Sequence, residues 1–487
     1  MWPLAWGLLP FIVLSTLNSG GYRYGASDLA FYVPAALKRI TPALFPRDAA
    51  LIAAQAKLTG FDEVIGALAR VTGAPLPPML AVLYVVSLAL LAGALWLLGS
   101  RLYRSAWTTT GLMMALTLRH AISRSGTNTL EGYFHPRQLA FSLGVLALAG
   151  FLRQRRAVAI ALIAAAALLH PTTALWFAIW IGVATMVEEK ETRLPLAMVA
   201  AATGLFGVWC LVAGPLTGRL SVMDPEWLAT LSAKDYLFPF TWPADVWLVN
   251  LGYAPLILWL YRGRVAAGAV TPGENGLVVG CLSLLLVFAA ALPFNAMRVA
   301  LAVQLQTPRI FWMLDFLATI YAVWALAEWA RAGPARARVT AIVIAAASLA
   351  RGSYVMFVKF PERPVVELQV PANDWGRAMA WARSTPAGSG WLADPWHAVT
   401  YGTSLRVAGE RDVFVEAVKD AAIGMYERSV AIRTRDHMAE VGDFATITAP
   451  RARALGARYE LDYLVSERAL DLPIAFQSGP LRVYRLR

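Results

Sequence analysis

The sequence predicts an α-helical polytopic membrane protein with about eleven transmembrane helices, followed by a small soluble α/β domain. Three observations predict it. Of 487 residues, 58% are hydrophobic and only 15% charged, and the mean hydropathy is +0.55, so lipid is the solvent for most of the chain. Much of the Arg and Lys sits in short clusters between apolar runs, where it sets orientation. From Pro371 onward the composition turns to that of a soluble α/β module. A formal charge of +12 would otherwise suggest nucleic acid; its placement assigns it to topology, and no nucleic-acid partner is expected.

A membrane-spanning helix needs about 20 apolar residues. Met1–Leu17 is apolar without a basic leader or an A-x-A-like cleavage site, which predicts a retained first helix. Further runs follow at Pro78–Gly99, Ala140–Leu152, Ala157–Leu169, Thr173–Val187, Leu194–Gly214, Val246–Tyr261, Gly276–Leu292, Ile310–Ala327 and Val339–Phe357, and a weaker one at Thr108–Leu118 completes the alternation. The basic clusters are Arg101 and Arg104; Arg153, Arg155 and Arg156; Lys190 and Arg193; Arg262 and Arg264; and Arg331, Arg336 and Arg338. They fall on alternate loops, which predicts a cytoplasmic N-terminus, a multi-pass membrane protein, and an extracytoplasmic C-terminal domain. The expected division is a transmembrane domain over 1–357 and the α/β domain over 358–487.

The outer loops are the larger and more polar ones. In the first, spanning 18–77, Leu29–Ile40 and Ala49–Val71 carry helical apolar spacing, as for helices on a membrane surface or buried in a soluble core. The C-terminal domain reads as an amphipathic stretch Asn373–Ser384, strands at Trp391–Ala393, Val413–Glu416 and Tyr463–Val465, helical Tyr426–Glu440 and Arg451–Leu455, and a hairpin through Pro473–Arg487 turning at Ser478-Gly479. The only cysteines, Cys210 and Cys281, lie in apolar segments, so neither a disulfide framework nor a thiolate cluster is available.

Chemistry is expected on the outer loops. Asp28, soon after the first apolar run, is suited to deprotonating an acceptor hydroxyl or holding a divalent cation, and equally to capping the helix at Leu29. Asn128 to Arg137 concentrates Glu131, His135 and Arg137, an acid, imidazole and guanidinium that can complete a metal site or grip a phosphate, or sit in an aromatic belt with Tyr133 and Phe134. His170 precedes Pro171 where the chain turns between spans, and its ordinary role is to satisfy a helix end. Before the run at Ile310 come Gln304, Gln306 and Arg309; Arg309 suits bidentate phosphate binding or a snorkelling anchor. Asp315, inside an apolar run, needs a polar partner. The third outer loop mixes Asp224, Glu226, Lys234, Asp235 and Asp245 with Trp227, Phe238, Phe240, Trp242 and Trp247, a composition shared by carbohydrate sites and interfacial belts. No zinc spacing, G-x-S-x-G or H-E-x-x-H is present.

A first outer loop with surface helices, an acid just after the first span, many spans and an outer C-terminal domain together resemble the GT-C class of membrane glycosyltransferases, over most of Met1–Phe357. The segments His135-Pro136-Arg137-Gln138-Leu139-Ala140-Phe141 and Leu169-His170-Pro171-Thr172-Thr173 are similar to a group of bacterial membrane proteins within that class. So is the pattern from Asp374-Trp375 through Thr385-Pro386 to Asp394-Pro395. The resemblance implies a place in the bacterial cytoplasmic (inner) membrane, a polyprenyl-phosphate-linked sugar donor and a glycan, lipid or protein acceptor. It implies Asp28 as base, Glu131 as the second-loop acid, either of them a ligand to Mg or Mn, and Arg309 on the lipid phosphate. Asp28 is followed by Leu29, whereas many members carry paired acids there. A non-catalytic transporter or assembly protein for lipid-linked polysaccharide is the alternative; the related halves expected of a transporter are not visible.

Overall fold

A computed structural model describes residues 2–329 and 333–487; Met1, and Arg331 of the last basic cluster, lie outside the described residues. Helix dominates, at 67%. Among the described residues seven helices are long and apolar enough to cross a membrane: Leu76–Leu102, Pro171–Glu188, Lys190–Val212, Ala244–Ala266, Glu274–Ala296, Ala300–Glu328 and Pro334–Lys359. Gly7–Asn18, Pro136–Leu152 and Arg156–Leu169 are shorter apolar helices, and the weak run near Thr108 is the helix Ala106–Leu116. At about 1.5 Å per residue, the 17 residues of Pro136–Leu152 reach roughly 25 Å, a little less than a hydrocarbon core.

The chain divides into two compact units that are interleaved in sequence. One comprises Met1–Tyr22, Val82–Val222 and Asp235–Val366; the other comprises Arg23–Ala81, Met223–Lys234 and Glu367–Arg487. The first-loop helices therefore cluster with the C-terminal segment, and the third outer loop is shared out between the units.

In the first unit, the hydropathic window of Ala300–Glu328 is 78% buried and that of Lys190–Val212 only 6%, so the former is a central helix and the latter a peripheral one. Close approach of helices depends on small residues. Gly276 and Gly280, spaced as G-x-x-x-G, face Pro171–Glu188 so closely that an added Cβ would stand 2.6 Å from the Ala184 carbonyl and 2.3 Å from that of Trp180. Not all of the basic residues assigned to topology are free to serve it. Arg264 is fully buried, ion-paired with Glu274 and bonded to the Leu102 carbonyl at 2.9 Å. Asp315 finds its partner in His120, whose Nε2 lies 3.0 Å from Oδ1.

The second unit is built on a five-stranded mixed sheet. Its strands are β1 (Gly390–Leu392), β2 (Asp412–Val413), β3 (Tyr463–Ser466), β4 (Ile474–Ser478) and β5 (Leu481–Arg485), in the order β2-β1-β3-β5-β4. The first three are parallel, and β3, β5 and β4 pair antiparallel. Successive residues alternate faces: Trp391, Val465 and Val483 pack with Trp375 and Met379, whereas Leu392, Leu464 and Tyr484 pack with Val441, Ala452 and Leu455. Both faces are covered, so of the two- and three-layer possibilities the domain takes three layers. The expected helices appear as Asp374–Ala382, capped by Asn373, Arg428–Val441 and Ala449–Tyr459. Ala417–Gly424 was not expected. The β4–β5 turn lies one residue later than expected, at Gly479-Pro480, where Gly479 adopts φ +57°. The first-loop helices are Leu29–Ile40, Ala49–Ala56 and Phe61–Thr72; Leu44, Phe45, Leu51 and Ile52 pack with Ile423 and Val430. A break before Phe61, with Gly60 at the N-cap, divides the single stretch expected over Ala49–Val71.

Candidate functional sites

Five of the residues expected in a site, namely Glu131, His135, Arg137, His170 and Arg309, form one group in the first unit. Pro136 and Pro171 each open a helix, and the preceding histidine caps it. The His135 Nδ1 accepts from the Arg137 N–H at 3.0 Å, and the His170 Nδ1 accepts from the Thr173 N–H at 3.3 Å. The bland role foreseen for His170 is thus real, and His135 shares it. In a neutral ring that leaves the proton on Nε2. The two rings stand 6.3 Å apart, centre to centre. Burial holds the His170 imidazole well below its ordinary range, and Arg309, His135 and Arg137 push it the same way.

Glu131 is buried and well held. Its Oε1 accepts from the Arg137 Nη2 at 2.8 Å, Arg119 lies 3.7 Å from Oε2, and the Asn128 amide reaches both oxygens at 3.3 Å. Arg137, Arg119 and Arg309 exceed Glu131 in charge, so the group as a whole suits an anion. Gln306 is buried with φ +49°, immediately before the turn Thr307–Arg309. Gln304 accepts instead from Arg219 at 2.6 Å.

Asp28 belongs to the other unit. It occupies the N-cap position of Leu29–Ile40 yet makes no side-chain capping bond, so capping does not account for its carboxylate. Its Oδ1 instead accepts from the Lys419 Nζ at 2.6 Å, and that ammonium also lies 3.2 Å from the Ser27 Oγ. Ser27 has φ +53°, a conformation that a residue with a Cβ adopts at a cost.

Ser27 and Lys419 line a cavity of about 240 Å³ whose wall also includes Gly25, Gly402, Ser404 and Glu416. Glu416 is 1% exposed, accepts from the Ser404 Oγ at 2.5 Å through Oε2, and has no hydrogen-bond partner at Oε1. Burial pushes its carboxyl up to about 7, against the pull of Arg406. Beside it His397, equally buried, donates from Nδ1 to the Asp394 carbonyl at 2.7 Å and accepts at Nε2 from the Leu405 N–H at 3.1 Å; burial drives its pKa down to about 4. Behind the cavity, buried Arg406 joins Asp48 at 2.7 Å and Asp420 at 2.5 Å, and Arg433 reaches Asp48 at 2.6 Å. Burial alone would raise Asp48, but Arg406 and Arg433 hold it below its ordinary value.

The third outer loop spends its polar groups on structure. Asp224 and Glu226 pair with Arg428, and the Trp227 Nε1 donates to the Gly424 carbonyl at 2.7 Å. Asp28 and Glu131, expected as metal ligands, each face a cation, and no group of three or more His, Cys, Asp or Glu stands ready for a metal among the described residues. Sequence reasoning missed Arg119, Glu416 and Lys419; the available signal for Glu416 was an acid closing the apolar run Val413-Phe414-Val415. Compared with protein-family models and with curated proteins, the chain matches none.

Proposed function

We propose that this protein is a membrane glycosyltransferase of the GT-C kind, which moves a sugar from a polyprenyl-phosphate donor to an extracytoplasmic glycan, lipid or protein acceptor. The observation that carries it is the first unit's group of Arg137, Arg119 and Arg309 with two imidazoles at the starts of apolar helices, a setting suited to a lipid phosphate. About eleven crossings, with the N-terminus cytoplasmic and the polar loops outside, put that phosphate at the outer membrane boundary. In the transfer the bond from C1 of the sugar to phosphate oxygen breaks and a bond from C1 to the acceptor oxygen forms. A general base takes the acceptor proton, and polyprenyl phosphate leaves on the arginines.

The test is turnover of a panel of radiolabelled polyprenyl-phosphate sugars by the reconstituted protein. Asp28→Asn lowers turnover about 10²–10⁴-fold with donor binding retained, the range for a lost general base. Arg309→Ala weakens donor binding. Unchanged turnover in Asp28→Asn removes that residue from the role of base, and a wild-type protein that binds donors yet turns over none of them is a carrier-binding transporter or assembly protein.

A further inference from the structure

We propose that the cavity beside Glu416 is a binding site for one neutral, hydroxyl-rich ring, a single monosaccharide residue. Three features of the second unit carry this. The volume of about 240 Å³ lies below the roughly 300–1,000 Å³ of drug-sized pockets, so one small ring fits and an oligomer does not. The polar groups on the wall are a mixed set: Glu416, whose Oε1 is buried without a protein partner, the hydroxyls of Ser404 and Ser27, and the Lys419 ammonium. A buried oxygen left unbonded is costly, and a ligand hydroxyl, which can donate or accept, would satisfy it whether or not the carboxyl holds a proton.

The charges on this wall are already matched inside the unit. Lys419 faces Asp28, and Glu416 has Arg406 at 3.7 Å. A charged ligand would unbalance them, whereas a polyol supplies donors and acceptors without net charge. The remainder of the wall is apolar, with Ala30, Pro395, Ala398, Val399 and Val418 suited to the C–H face of a pyranose. Two wall residues are glycines packed tightly against what lies behind them: Gly25 at φ +76° and Gly402 at φ +79°, where an added Cβ would meet the Val407 Cγ1 at 2.9 Å and the Arg23 Nη2 at 2.4 Å.

The site is argued from the cavity and does not depend on sugar transfer, so it is tested with no donor present. Binding of free hexoses and pentoses to the full-length protein in detergent is followed by ligand-observed NMR and calorimetry, with inorganic phosphate as the charged comparison. Saturable binding of at least one monosaccharide is expected, weakened about tenfold or more by Glu416→Gln and by Ala398→Leu, which fills the cavity, with melting temperatures showing that both variants fold. Absence of saturable binding by every monosaccharide overturns the proposal. So does binding that neither variant weakens, or binding of phosphate in preference to every sugar.

Discussion

Glu131 and Glu416 are both buried acids with an arginine at hand, but they are built differently. Glu131 is held on both oxygens by Arg137, Arg119 and Asn128, at the entrance to a helix that His135 caps. Glu416 is held on one oxygen by Ser404, keeps its other oxygen unbonded, and borders open volume. A fully bonded carboxylate fixes its neighbours in place, so the group around Glu131 serves as rigid scaffolding for the arginines. A half-bonded one retains capacity for a ligand.

Removing the guanidinium from the first group breaks the comparison most severely. Arg137→Ala leaves Glu131 short of its closest cation and costs about 3–5 kcal/mol, read as a large drop in the melting temperature of the solubilised protein; Arg137→Lys recovers part of it. A melting temperature unchanged in the alanine variant would show that the pair is not structural.

The second group is sharpened by pH. Between about pH 4.5 and 7 the folded state keeps a proton on Glu416 that the unfolded chain has lost, so this contribution to stability falls as pH rises through that window. His397 behaves in the opposite sense: between about pH 4 and 6.5 the unfolded chain binds the extra proton, so its contribution is lost as pH falls. Each effect is on the order of 3 kcal/mol, and the two nearly cancel. Glu416→Gln removes one of them, leaving a protein more stable than wild type at pH 8 and steeper in its loss from pH 6.5 to 4. Melting curves across pH check this, and parallel profiles for variant and wild type would refute it.

The smallest effect lies at the cavity edge. Ser27→Gly relieves a left-handed backbone conformation and stabilises by about 1 kcal/mol. A lower melting temperature would show instead that the Ser27 hydroxyl matters more than its backbone.

Much of the fold was legible because its signals are local. Apolar runs mark most of the long helices, Leu29–Ile40 was placed to the residue, and the strands around Trp391 and Tyr463 show alternation or β-rich composition. What stayed hidden depends on partners far along the chain. Nothing near Asp28 announces Lys419, 391 residues away, and nothing near Asp48 announces Arg406. Most of the group around Glu131 could be read because Glu131, His135 and Arg137 lie within seven residues and His135 and His170 share the His-Pro signature. The partner of Arg264 was hidden as well: a basic residue near a helix end reads the same whether it faces water or, as here, a buried Glu274.

The interleaving of the second unit also sets a timetable for its birth. Buried Asp48 pairs in the finished unit with Arg433, which is made 385 residues later. At about 5–20 residues per second, synthesis takes about 20–80 s to close that gap. Throughout that interval Phe45, Leu51 and Ile52 lack the Ile423 and Val430 they pack against in the finished protein. The segment around Phe45 is thus made long before the residues that complete its packing.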